Sequence, residues 1–172
     1  MVNHLWRDRV AVRIGEWTWK GIYSLISTAG LVLIIIGYGE ARPVPGLLYT
    51  PPIWSSHLVL LTMLPVFILL FATYLPGRIQ TFIKNLMLVA TVLWTSSHLL
   101  ANGRVVKVTL FGSMLLWAVL VIISMKSRVP RSIPNLPKTA FNDIIAVSAG
   151  LGIYAAFVLE LHQDFFGVAL IG

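Results

Sequence analysis

Thr91-Val-Leu-Trp-Thr-Ser-Ser-His-Leu-Leu-Ala-Asn-Gly103 is the most informative segment of the chain. It has the apolar content of a membrane segment, interrupted by Thr91, Thr95, His98 and Asn102 at i, i+4, i+7 and i+11. At about 100° per residue these four fall within a helical stripe about 60° wide. A polar stripe inside lipid turns toward protein, water or a cofactor rather than toward acyl chains. The spacing therefore predicts a helix inside a multi-helix bundle, with something polar within.

The remainder of the 172 residues is of the same kind. The chain is 58% hydrophobic and 11% charged, with a mean hydropathy of +0.87, whereas a soluble domain carries about 25% charged residues. Five apolar runs stand out: Gly21 to Tyr38, Leu58 to Leu75, Leu86 to Ala101, Val108 to Met125 and Ile144 to Leu161, the last extended by Phe165 to Ile171. The third is the shortest. These runs do not alternate in the manner of barrel strands. The fold expected is all-α: a polytopic transmembrane bundle of about five spanning helices, one domain over residues 1–172, in a lipid bilayer. Pro65 is expected to kink the second helix, Asn102-Gly103 to turn tightly, and Asn142 or Asp143 to cap the fifth helix. Proline marks the long connections, at Pro43, Pro45, Pro51 and Pro52 and again at Pro130, Pro134 and Pro137.

Charge fixes a side. The net charge is +7 and the isoelectric point near 10.2. The basic residues flank apolar spans and form no separate patch, which excludes nucleic acid as a partner. Arg7, Arg9, Arg13 and Lys20 lie before the first span, Arg78 and Lys84 in the second connection, and Lys126, Arg128, Arg131 and Lys138 in the fourth. Only Arg42, Arg104 and Lys107 lie on the opposite side. The excess places the amino terminus and the even connections in the cytoplasm. The first twenty residues lack a signal-peptide core and suit an interfacial segment.

With that topology His57, His98 and His162 share the outer depth, and only His4 lies opposite. The chain has no cysteine, so a metal or haem iron needs other ligands, and imidazole is the common axial ligand of haem b. His98, His57 and His162 are the candidate metal or haem ligands. Asn102, Trp94, Arg42 and Arg104 are candidate partners of the same cofactor, and the basic side chains, Lys107 included, suit haem propionates. The plainer reading makes His98 a hydrogen-bonding strut between helices and His57 an interfacial residue. Trp54, Trp117 and Tyr49 suit either a flat ligand or the membrane interface. Glu160 and Asp164 share a face as solvated helix-end acids or as a carboxylate pair. Ala146-xxx-Gly150 and Ser148-xxx-Gly152-xxx-Ala156 read as close-packing ridges.

Several segments carry a family resemblance: Glu16 to Leu25 (EWTWKGIYSL), Gly37 to Pro43 (GYGEARP), Leu48 to His57 (LYTPPIWSSH), Tyr74 to Gly77 (YLPG), Trp94 to Gly103 (WTSSHLLANG) and Phe111 to Ala118 (FGSMLLWA). In these the chain resembles the NnrU family of bacterial membrane proteins. The resemblance implies a role linked to denitrification or nitric oxide metabolism. That family is similar to plant zeta-carotene isomerase, which implies haem b and, as an alternative function, haem-dependent cis-trans isomerisation of a polyene. A third alternative is a non-catalytic accessory subunit of a larger membrane complex. Against the family pattern, a helix with a His-Ser pair before Trp6 is missing or shortened, and Asn85-Leu86 stands where the family has His-Pro.

Overall fold

A computed structural model gives the fold and describes residues 4–126 and 137–166. Pro130, Pro134, Arg128, Arg131 and the segment Gly167 to Ile171 lie outside the described residues. The described residues are helices joined by short connections. Four helices are long and apolar enough to cross a membrane, and a shorter apolar helix accompanies them. That is the all-helical bundle expected from sequence, with the short helix falling on the run Leu86–Ala101. Its 16 residues span about 24 Å at 1.5 Å per residue, against about 30 Å of hydrocarbon.

The chain divides into two compact units. The first, Met1–Gly46, holds α1 (His4–Ile14) and α2 (Glu16–Ala41), which pack on each other. Gly15 joins them at φ 89°, a left-handed conformation in which a side chain would be strained. Early in α2, Lys20 pairs with Glu16 at 2.9 Å and lies 5.1 Å from the Trp17 ring centre. None of the α2 residues is buried within the chain.

The second unit, Leu47–Gly172, holds α3 (Ser55–Tyr74), α4 (Ile79–Phe82), α5 (Leu86–Ala101), α6 (Val105–Met125), α7 (Ala140–Ala156), a π-helical turn (Phe157–Leu161) and α8 (His162–Phe166). Helix α3 packs against both α5 and α7, and α6 packs on α5. Val66, Leu69 and Ala72 of α3 meet Leu86 and Ala90 of α5 and Ala146 of α7 in the buried core. Pro65 lies inside α3, which continues past it to Tyr74.

Helices α3 and α7 run antiparallel, with Gly150 against Ile68 and Tyr154 against Leu60. A Cβ on Gly150 would stand 2.7 Å from the Ile68 Cα, so the ridge Ala146-xxx-Gly150 is where the two backbones meet. The second expected ridge is not used. Ser148 and Gly152 are exposed, and no atom stands within 4 Å of a Cβ on Gly152. The two ridges lie about 160° apart around the helix, half a turn or nearly so, and α3 covers only one of them.

The fifth helix is capped differently from expectation. Thr139 is the N-cap, its hydroxyl accepting the Asn142 N–H at 3.3 Å. Asn142 and Asp143 fall one turn inside the helix and reach across to the connection after α3. The Asn142 amide donates to the carbonyls of Pro76 at 2.8 Å and Pro137 at 2.9 Å. The Asp143 carboxylate accepts the N–H groups of Arg78 at 2.7 Å and Ile79 at 3.1 Å. A Cβ on Gly77 would overlap that carboxylate, which explains the glycine of Tyr74-Leu-Pro-Gly77. At the start of α5, Asn85 takes the left-handed conformation, φ 57° and ψ 49°, which asparagine tolerates better than most residues.

Candidate functional site

The antiparallel order brings the start of α3, the end of α5, the start of α6 and the end of α7 to one end of the second unit. His57, His98, Asn102, Arg104, Lys107 and His162 belong to that end. Helix α5 supplies its centre. The four stripe residues use the carbonyls of their own helix: Thr91 bonds to Met87 at 2.8 Å, Thr95 to Thr91 at 2.8 Å, His98 Nδ1 to Trp94 at 2.9 Å and Asn102 Nδ2 to His98 at 2.9 Å. His98 therefore makes its backbone bond within its own helix and is no strut through that nitrogen. The strut is Ser97, next to the stripe. Its hydroxyl lies 2.7 Å from that of Thr62 on α3, and Ser97 is 1% exposed.

A carbonyl only accepts, so the bond to Trp94 puts the proton on Nδ1. In the neutral ring Nε2 then carries the lone pair. Around the half-buried ring stand two aromatic neighbours. The Phe111 ring of α6 is 4.5 Å away, tilted by 34°. The Trp94 ring is 5.2 Å away, edge-on, and Trp94 and Phe111 meet edge-on at 5.4 Å. Trp94, four residues before His98, packs beside it as the helical spacing implies. Phe111 as a wall of the site is a finding of the structure. Its signal was the spacing of Lys107, Phe111 and Ala118 at i, i+4 and i+11, which puts Phe111 and Ala118, both buried, on one face of α6.

The turn after α5 is held from two sides. Lys107 Nζ donates to Asn102 Oδ1 at 2.6 Å. The segment before α3 lies across the turn: Leu48 N–H donates to the Gly103 carbonyl at 2.8 Å, Tyr49 OH to the Asn102 carbonyl at 3.0 Å, and Leu47 bridges to Arg104. A Cβ on Gly103 would overlap the Tyr49 carbonyl oxygen and stand 2.6 Å from its carbon. Gly103 has no positive φ, so close approach is what requires glycine here.

His162 and Lys107 both lie close enough to act electrostatically on His98. His162 is half-buried and follows the π-helical turn, whose Phe157 ring stands 5.3 Å from Phe67. His57 is exposed on the first turn of α3. Among the described residues no group of three or more His, Cys, Asp or Glu is placed to hold a metal ion. The three histidines share one end but do not form a three-ligand set there. Arg104 is exposed beside the turn. Arg42 caps α2 in the first unit. Trp54 and Trp117 are exposed and lie outside the ring cluster. Glu160, in the π-helical turn, and Asp164, in α8, are both exposed.

The model of the family described as NnrU protein matches residues 1–170. No curated protein and no solved structure matches the chain.

Proposed function

The chain belongs to the NnrU family, and from that premise we propose that it is a bacterial inner-membrane protein that binds haem b through His98. The observation that carries the proposal is the hydrogen bond from His98 Nδ1 to the Trp94 carbonyl at 2.9 Å. Haem-ligating and metal-ligating histidines characteristically donate the other ring N–H to a carbonyl or carboxylate. That bond fixes the tautomer and raises the basicity of the ligating nitrogen. His98 is prepared in this way, with Nε2 as the donor atom. The chemistry of the surroundings fits too. Trp94 and Phe111 offer flat apolar walls, and Lys107 and Arg104 supply positive charge for acidic groups at the ligand edge.

When bound, haem iron supplies one-electron and small-ligand chemistry, which suits the nitric oxide link that the family name implies. This chain's residues orient and shield. The Trp94 carbonyl holds the imidazole, the two aromatic rings exclude water from it, and Ser97 with Thr62 fixes α5 against α3. The excess of Lys and Arg on one side supports a cytoplasmic amino terminus, with the His98 end facing the opposite side.

The experiment is titration of the purified, detergent-solubilised chain with haemin. Saturable growth of a Soret band in the wild type and its loss in His98→Ala is the expected result. Absence of saturable binding in the wild type, or equal binding by a folded His98→Ala variant, overturns the assignment.

A further inference from the structure

Packing in the second unit leaves one side of α5 open. The long helices pack as neighbours in a single row, in the order α7, α3, α5, α6, and among the described residues no comparable packing joins α6 to α7 at its two ends. Helix α5 therefore has α3 on one side and α6 on the other. Ala90 and Ser97 face α3, through the buried core and the contact with Thr62. At about 100° per residue, Leu88 and Thr95 lie about 160° round from them. Both are buried, and α6 is the helix left to cover them. Trp94, His98 and Thr91 fall between these two faces and are half-buried. Phe111 of α6 reaches that side, 4.5 Å from the His98 ring, but no third helix of the second unit packs on α5 to a comparable degree. In a row of helices that crosses a bilayer, such an open side faces along the membrane plane. The end of α5 is closed instead, because the strap Leu47–Tyr49 lies across the α5–α6 turn with Leu48 N–H on the Gly103 carbonyl and Tyr49 OH on the Asn102 carbonyl. From His98 the open side runs back through Thr91 to Met87, which is exposed. The Thr91 hydroxyl bonds to the Met87 carbonyl at 2.8 Å, so its polarity is satisfied within its own helix and the path stays apolar.

We infer that the site at His98 opens sideways into the bilayer, between α3 and α6 and past Thr91 and Met87, so that its ligand is a planar molecule taken up from the membrane and not from water. The inference rests on the reading of His98 as the ligand-binding residue. It goes beyond that reading in naming the route of entry and the solvent from which the ligand comes. A closed end and an open side favour molecules that partition into lipid. The Trp94 and Phe111 rings, edge-on to each other at 5.4 Å, stand at the inner end of that route, where a flat ligand meets the imidazole.

The test plugs one route at a time. The chain has no cysteine, so a single introduced thiol carries the plug. Thr91→Cys is modified with pyrene maleimide on the open side, and Leu48→Cys with a polyethylene glycol maleimide on the strap. Each full-length chain is placed in phosphatidylcholine vesicles, haemin is added, and growth of the Soret band is followed. Modified Thr91→Cys is expected to load about tenfold more slowly than its unmodified form, an added barrier of about 1.4 kcal/mol, and to reach the same final absorbance. Modified Leu48→Cys is expected to load at its unmodified rate. Unchanged loading of modified Thr91→Cys, or slowing by the polymer on the strap, overturns the inference and leaves the His98 reading standing. A lower final absorbance without a change of rate overturns it too, since the plug then occupies the site and not the route. A wild type that takes up no haemin removes the His98 reading and the inference with it. If modified Thr91→Cys melts below its unmodified form, Met87→Cys, one turn further from His98, carries the plug in its place.

Discussion

Gly103→Ala probes the most constrained point of the candidate site. The perturbation adds one methyl group where a Cβ overlaps the Tyr49 carbonyl oxygen and stands 2.6 Å from its carbon. Both obstructing atoms belong to backbone, so no side-chain rotation relieves the overlap. The segment Leu47–Tyr49 must lift from the α5–α6 turn. Lifting it breaks the 2.8 Å bond from Leu48 N–H to the Gly103 carbonyl and the 3.0 Å bond from Tyr49 OH to the Asn102 carbonyl. At about 0.5–1.5 kcal/mol each, the loss is about 1–3 kcal/mol. Tyr49→Phe removes only the second bond and should cost about 1 kcal/mol. The assay is thermal or denaturant unfolding in detergent, followed by tryptophan fluorescence, with Trp94 close to the perturbed turn. Gly103→Ala is expected to melt clearly below Tyr49→Phe, and both below the wild type. A Gly103→Ala variant as stable as the wild type would refute the close approach of the Tyr49 backbone to the turn.

Four further outcomes follow from the packing. Gly150→Val should force α7 away from Ile68, whose Cα stands 2.7 Å from a Cβ at that position, and lower the melting temperature, whereas Gly152→Val, with open space around it, should change it little. Asn142→Ala removes a buried amide that serves the Pro76 and Pro137 carbonyls; a loss of about 1–3 kcal/mol is expected in equilibrium unfolding. Asp143→Ala frees the N–H groups of Arg78 and Ile79 and should speed amide hydrogen exchange there, while exchange near Gly103 stays unchanged. In a double-mutant cycle of Thr62→Val with Ser97→Ala, the coupling across their 2.7 Å contact should be about 0.6 kcal/mol, the average for such pairs in membrane helices.

Much of the bundle was legible because its signals are local. The run Leu86–Ala101 coincides with α5, since an apolar run between Asn85 and Asn102-Gly103 has natural stops at both ends. The Trp94–His98 contact was legible from i, i+4 spacing alone. Features that depend on a neighbouring helix were not. Both small-residue ridges of α7 suit close packing, and only the position of α3 selects Ala146 and Gly150. Thr139 outcompetes Asn142 as the cap because the Asn142 amide finds the Pro76 carbonyl on another connection. The polar stripe was read correctly as helical, but its side chains bond back to α5 itself. The bond to α3 belongs to Ser97, off the stripe, because α3 lies on that side, and the stripe reaches another helix through Asn102, whose Oδ1 accepts from Lys107 of α6. Shared depth of His57, His98 and His162 was legible from topology. Their positions around the bundle were not, since span order gives no lateral placement.

If His98 presents Nε2 to haem iron, as we propose, chemical rescue is the sharpest test of that ligation. His98→Gly removes the imidazole and leaves room for an exogenous one. The absorption spectrum of the haemin-loaded variant is recorded, oxidised and reduced, with and without added imidazole. With His98 as the iron ligand, the variant loses the wild-type Soret position and imidazole restores it. A His98→Gly spectrum identical to the wild type before imidazole is added would contradict it.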